Sequence, residues 1–131
     1  MPNRSLKTAL CLSAVCAAAV FMPGCGDAAA KTTAAGLTGG VPERGMAAVN
    51  RYGCGACHTI ARNPTAHGLV GPPLTGIGAR MYVAGVLANT PPNIVHWIQH
   101  PKEVDEKTVM PDLGVTDQDA TDIAAYLYST R

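Results

Sequence analysis

Cys54-Gly55-Ala56-Cys57-His58 constrains this chain more than any other stretch. Two thiols three positions apart, followed at once by an imidazole, form the attachment signature of a c-type haem, in which each thiol becomes a thioether to one porphyrin vinyl group. The next residue then stands under the iron, so His58 would ligate it through one ring nitrogen. Two other chemistries use paired cysteines. A structural zinc site needs four ligands, and no second Cys or His pair at matched spacing follows. A redox dithiol opens a helix after a strand, and no strand pattern precedes Tyr52. The motif therefore implies Cys54 and Cys57 as covalent anchors of one haem c, with His58 as an axial ligand.

Such a cofactor accounts for two oddities of composition. The 131 residues, enough for one ordinary domain plus processing segments, include only one Phe, one Trp and four Tyr. A buried porphyrin would supply the missing bulk. The five cysteines sort by position: Cys11 and Cys16 in an N-terminal leader, Cys25 at its end, and two in the motif. None is left over for a disulfide.

Arg4 and Lys7 precede an uncharged apolar run from Ala9 to Met22, the basic and hydrophobic parts of a secretory signal peptide. The run is shorter than the roughly 20 apolar residues of a membrane-spanning helix. Met22-Pro23-Gly24-Cys25 resembles a bacterial lipoprotein cleavage box, which predicts a signal peptide over 1–24 and an acylated Cys25 as the mature N-terminus. The other option is ordinary cleavage among Ala28, Ala29 and Ala30. From 25 to 41 the chain is Gly, Ala, Thr and Asp with Lys31, read as a flexible tether that leads into a domain over 42–131. The expected location is the periplasmic side of the bacterial inner membrane, with the protein a monomer held by its lipid.

The formal charge of +1 belongs to the precursor. Without Arg4 and Lys7 the ten basic residues fall to eight against nine acids, a net of −1. That balance carries no footprint of nucleic-acid binding.

A first helix is expected from about Pro42 to Tyr52, with the proline in its first turn. Gly45 inside it costs about 1 kcal/mol against alanine, which implies that another element crosses there. The partner expected is the last helix, capped by Thr116, with Asp117 and Asp119 at its positive end and Ala120, Ile123, Ala124 and Leu127 as its apolar stripe. Tyr126 is the ring expected to lie across Gly45. Gly71-Pro72-Pro73-Leu74-Thr75-Gly76 forms a rigid bend, able to fix a carbonyl against the free ring N–H of a metal-bound histidine. Arg80 to Leu87 is read as a short helix, weakened by Gly85. A further helix carries Ile94, Trp97 and Ile98 on one face and stops before Pro101. Lys102 to Thr108 is read as a polar loop that delivers Met110-Pro111.

Together these residues resemble the class I c-type cytochromes, the family of mitochondrial cytochrome c, from about Val41 to Arg131. The resemblance is carried by Cys54 to His58, Gly71-Pro72-Pro73-Leu74, Trp97-Ile98 with Pro101-Lys102, and Met110-Pro111 before the C-terminal helix. It implies an all-α fold, a small cytochrome c fold of about four helices wrapped around one covalent haem, with N- and C-terminal helices crossing. It places the carbonyl that accepts the His58 N–H on Pro72, haem packing on Leu74 and Trp97, and the sulfur ligand on Met110. From Tyr82 through Asp122 the chain is more similar to the cytochrome domain fused to bacterial cytochrome oxidase subunit II, though here it is expected as a separate cytochrome. The span from His58 to Met110 is shorter than in the mitochondrial protein, and lysines are sparse. Met46, Met81, His96 and His100 remain rivals for the sixth position, as does an open site.

Histidine and methionine together raise the reduction potential and fill both axial positions, which leaves outer-sphere transfer of one electron. The expected function is a monohaem electron carrier, not an enzyme, working between a respiratory donor complex and a terminal oxidase. The alternatives are a haem enzyme or gas or peroxide sensor whose Met110 leaves, and a fixed cytochrome subunit of a larger dehydrogenase or oxidase.

Overall fold

The computed structural model describes residues 25–130. The leader over 1–24, the side chain of Cys25 and its lipidation all lie outside the described residues. The described chain runs α1 (Cys25–Thr38), α2 (Pro42–Arg51), β1 (Tyr82–Val83), β2 (Leu87–Ala88), α3 (Pro91–Gln99), α4 (Pro101–Val104) and α5 (Asp117–Ser129), with short 3-10 turns at Cys54–Ala56 and Ile77–Ala79. Among the described residues no helix is long and apolar enough to cross a membrane. Among the described residues the regular structure is helical apart from one two-stranded hairpin and a lone bridge between Thr59 and His67; long connecting loops join the elements.

The crossing of α2 and α5 organises the rest. Pro42 opens α2, Glu43 lies in its first turn and Arg51 in its last, each suited to the helix dipole. Thr116 caps α5 by accepting the Asp119 N–H at 3.2 Å, with Asp117 and Asp119 in the first turn. The two helices meet at Gly45, where a Cβ would collide with the Asp122 carbonyl and sit 2.8 Å from the Tyr126 Cβ. Tyr126 is buried, and its hydroxyl donates to the Ala61 carbonyl at 2.9 Å. Val49, Ala120, Ile123, Ala124 and Leu127 then join Ile94 and Ile98 of α3 in a single core.

A buried carboxylate secures the same crossing. Asp122 accepts from the Val41 N–H at 2.7 Å, from Arg44 Nε at 2.6 Å and from Gln118 Nε2 at 3.2 Å. Burial alone pushes its pKa up, but the bonds from Arg44 and the Val41 N–H outweigh that and hold it below the ordinary carboxylate value. A pKa lower in the folded than in the unfolded chain stabilises the fold fully above the unfolded value of about 3.9, and that stability is lost as pH falls through the folded pKa. Asp122→Asn should therefore cost about 2 kcal/mol at pH 7 and lose less than the wild type on acidification. Urea unfolding at about pH 7 and pH 3 checks this; equal losses in the two proteins would contradict it.

Three expectations need correcting. The supposed tether is helical: α1 buries Ala34 and packs on α5, Lys31 pairs with Glu43 at 2.7 Å, and Asp27 pairs with Arg62. Its alanines look featureless in sequence, yet they are strong helix formers and let two backbones approach closely. Gly39, at φ 75°, ends the helix, with its N–H on the Ala35 carbonyl at 2.8 Å. The segment Arg80 to Leu87 is a hairpin, not a helix. Tyr82 pairs with Ala88 and Val83 with Leu87, so three residues join the strands: Ala84 and Gly85 turn at φ 54° and 76°, the Val86 N–H closes the turn on the Val83 carbonyl at 3.2 Å, and Val86 is the extra residue before pairing begins. Finally, part of the supposed polar loop after His100 is α4, opened by Pro101.

Candidate functional site

The C-terminal end of α2 delivers the motif. Tyr52 caps the helix and its hydroxyl donates to Asp119 Oδ2 at 2.8 Å, while Arg51 pairs with Asp119 Oδ1 at 2.6 Å. Both bonds tie the start of the motif to the start of α5. Gly53 turns at φ 71°, Cys54–Ala56 makes one tight turn, and the His58 N–H reaches the Cys54 carbonyl at 3.0 Å. No disulfide joins Cys54 and Cys57, and both are half-buried. Burial pushes the Cys54 pKa up, with the neighbouring Cys57 adding to the effect. A redox dithiol requires the opposite shift, toward a reactive thiolate. Among the described residues no group of three or more His, Cys, Asp or Glu is placed to hold a bare metal ion.

The segment 68–74 folds back along the motif. The Gly68 N–H bonds to the Gly55 carbonyl at 3.0 Å, Gly71 to Cys57 at 2.8 Å and Leu74 to Thr59 at 2.9 Å. This ladder sets the Pro72 carbonyl oxygen 2.7 Å from His58 Nδ1. A carbonyl can only accept, so Nδ1 carries the proton and Nε2 presents its lone pair. Gly71 stands against the imidazole itself: a Cβ there would lie 2.6 Å from Nδ1. Only glycine lets the backbone pass so close, a constraint the Gly-Pro-Pro bend did not reveal in sequence.

Cys54, Cys57, His58, Pro72, Leu74, Trp97 and Met110 all line one cavity of about 570 Å³. That volume falls within the roughly 300–1,000 Å³ of small-molecule and cofactor sites. Its walls are mostly apolar, including Val49, Ile77, Val83, Ile94, Ile98 and Leu127. The donor set fits a covalently held porphyrin: two thiols and an oriented imidazole on one wall, and a thioether supplied by the loop after α4.

The rivals for the sixth position lie elsewhere. Met46 and Met81 are exposed and His96 and His100 are about half exposed, and none of the four lines the cavity. The two histidine rings lie 5.4 Å apart on the surface, each within 3.9 Å of Glu103. A second cavity of about 660 Å³, between α1, the 3-10 turn at Ile77–Ala79 and the end of α5, contains no thiol, imidazole or thioether.

Two wall residues escaped the sequence. Arg80 donates to the carbonyls of Pro73 at 2.6 Å and Thr75 at 3.3 Å, so it locks the proline bend from the far side. Tyr82 reaches the cavity only because β1 turns where a helix was expected. No periodicity marks either one.

A helical shell closed on an apolar cavity, with two thiols and an oriented imidazole in its wall, defines a protein built around one haem. The family model described as Cytochrome c matches residues 42–131, and the chain belongs to that family. Its cofactor is one covalent haem c, and its activity is that of an electron-transfer cytochrome. The chain is also similar to cytochrome c oxidase subunit 2 of Alkalihalophilus pseudofirmus, 30% identical over 90 residues. The match covers 68% of this chain and 25% of that protein, so the chain spans about a quarter of the curated relative it matches. No solved structure matches it.

Proposed function

We propose that this cytochrome carries single electrons between respiratory-chain components and delivers them to a terminal oxidase, anchored through a lipid on Cys25 at the periplasmic side of the bacterial inner membrane. The observation that carries the electron-transfer part is the convergence of Cys54, Cys57, His58 and Met110 on one apolar cavity. Cys54 and Cys57 would hold the porphyrin, His58 Nε2 and the Met110 sulfur would bind its iron, and Leu74 and Trp97 would pack against it. When bound, haem c supplies a one-electron ferric–ferrous couple.

The chain sets the conditions for that couple. The Pro72 carbonyl keeps the proton on His58 Nδ1, which fixes the tautomer and makes Nε2 the stronger donor. Apolar walls exclude water and lower the local dielectric. With both His58 and Met110 bound to the iron, oxygen and peroxide would find no ready place on it.

Delivery to an oxidase draws support from the relative named as an oxidase subunit. The same likeness favours a second reading, in which the chain is a fixed cytochrome unit of an oxidase complex. Redox titration of the haem-loaded protein, followed by turnover with purified terminal oxidases, tests the proposal. A reversible one-electron wave and oxidase-dependent oxidation are expected. Stoichiometric co-purification with a complex from detergent extracts would favour the fixed unit. Rapid carbon monoxide binding by the ferrous wild type at neutral pH would instead favour a sensor or enzyme. Mass spectrometry of the membrane-extracted protein should find a lipid mass on Cys25; an unmodified N-terminus near Lys31 would rule the anchor out.

A further inference from the structure

Three segments that are far apart in the chain bring exposed apolar side chains to the mouth of the cavity. Val70 precedes the proline bend, Tyr82 begins the hairpin and Val109 precedes Met110; all three line the cavity, yet they are 70%, 56% and 79% exposed. Residues that are both wall and surface form the rim. Leu69, next to Val70 in the chain, and Val86, in the turn of the hairpin that Tyr82 begins, are 88% and 60% exposed and do not line the cavity. Solvent-exposed apolar groups gathered around one opening mark an interaction site, whereas single scattered ones do not.

The charges around this rim indicate what covers it. Among the described residues Arg80 and Asp105 are the only charged ones in the wall, one of each sign, and Arg80 is occupied by the carbonyls of Pro73 and Thr75. The loop that presents Val109 has Lys102 and Lys107 against Glu103, Asp105, Glu106 and Asp112. Lys102 is turned inward onto the carbonyls of Glu106 and Thr108. Lys31 does not line the cavity and is paired with Glu43. An acidic partner would find no basic ring here, and a basic partner only a weak acidic excess on one side.

We propose that this rim docks a redox protein whose own electron-entry face is apolar and near neutral, so that the encounter is held by apolar contact and not by charge steering. The proposal rests on the electron-transfer reading above, because the rim surrounds the site where the electron leaves. A small apolar contact suits the purpose: redox encounters bury little surface and must release quickly. Without charge steering the association rate depends little on salt.

The test uses the haem-loaded, reduced protein with two acceptors, ferricyanide and a purified bacterial terminal oxidase. Oxidation by the oxidase should change by less than about twofold between roughly 20 and 500 mM salt. Leu69→Lys and Val86→Lys, both outside the cavity wall, should each slow the oxidase reaction about tenfold, while Leu69→Met and Val86→Ile retain it. Their oxidation by ferricyanide should stay within about twofold of wild type after allowance for the added charge. A rate that falls steeply with salt, or lysine variants that leave the oxidase reaction untouched, would overturn the apolar docking face. If the oxidase accepts no electrons although ferricyanide does, the oxidase assignment is what fails. The docking face is then decided by electron self-exchange between oxidised and reduced copies, read from NMR line widths. Salt-insensitive exchange that the lysine variants slow supports the rim; exchange indifferent to them overturns it.

Discussion

Gly45→Ala should destabilise the protein by about 2–3 kcal/mol, and Gly45→Val by about 4 kcal/mol or more. Helix propensity points the other way, since replacing a mid-helix glycine with alanine gains about 1 kcal/mol in an exposed position. The packing decides. At Gly45 a Cβ would run into the carbonyl of Asp122, which is backbone of the facing helix and cannot swing aside. The second obstacle, the Tyr126 Cβ at 2.8 Å, belongs to a buried ring whose hydroxyl is committed to the Ala61 carbonyl. Relief would require the α2–α5 crossing to open, and Asp122 with its bonds to Val41 and Arg44 would open with it. Gly36 in α1 is the control: a Cβ there meets nothing within 4 Å, so Gly36→Ala should be neutral or stabilising by up to about 1 kcal/mol. Denaturant unfolding of the haem-loaded proteins reads both. Stabilisation by Gly45→Ala equal to that by Gly36→Ala would mean that the two helices do not touch there.

Met110→Ala should convert a protein that excludes small ligands into one that binds carbon monoxide rapidly in the ferrous state, and should lower its potential by on the order of 0.1 V or more. Among the described residues Met110 is the only methionine in the cavity wall, and its loop is held by local bonds. Its N–H meets Thr108 Oγ1 at 3.2 Å, and Lys102 ties the Thr108 carbonyl to α4. Removal of the sulfur leaves that scaffold in place, so the opened position should be read without collapse of the fold. Failure of carbon monoxide to bind the variant would mean that another group holds the sixth position.

The local features of this protein are legible in its sequence and the long-range ones only in part. The run from Cys54 to His58 is five consecutive residues, so its chemistry needs no fold to be recognised. Gly45 can be read because a glycine in a helix needs a reason, and a close crossing is the commonest one. The likeness to class I cytochromes extended this to Pro72 and Met110, which lie 14 and 52 residues beyond His58. Other features depend on tertiary placement. An alanine-rich stretch packs only if a small-faced helix such as α5 is waiting for it, so α1 looked like a tether. Tyr82 and Val83 favour a strand, but a two-residue strand is too short to show a period. Gly71 lies against the His58 ring and Arg80 holds the proline bend, both through space, and nothing in their immediate neighbours signals it. His96 and His100 stayed in contention on residue type alone; the direction of α3 turns both away from the cavity.

The most direct measurement is the visible spectrum of the oxidised, haem-loaded protein at its red end, where an iron–sulfur bond absorbs weakly. The wild type should show the band, Met46→Ala and Met81→Ala should keep it, and Met110→Ala should lose it. A band that survives in Met110→Ala, or is missing from the wild type, would contradict a haem clamped between His58 and Met110.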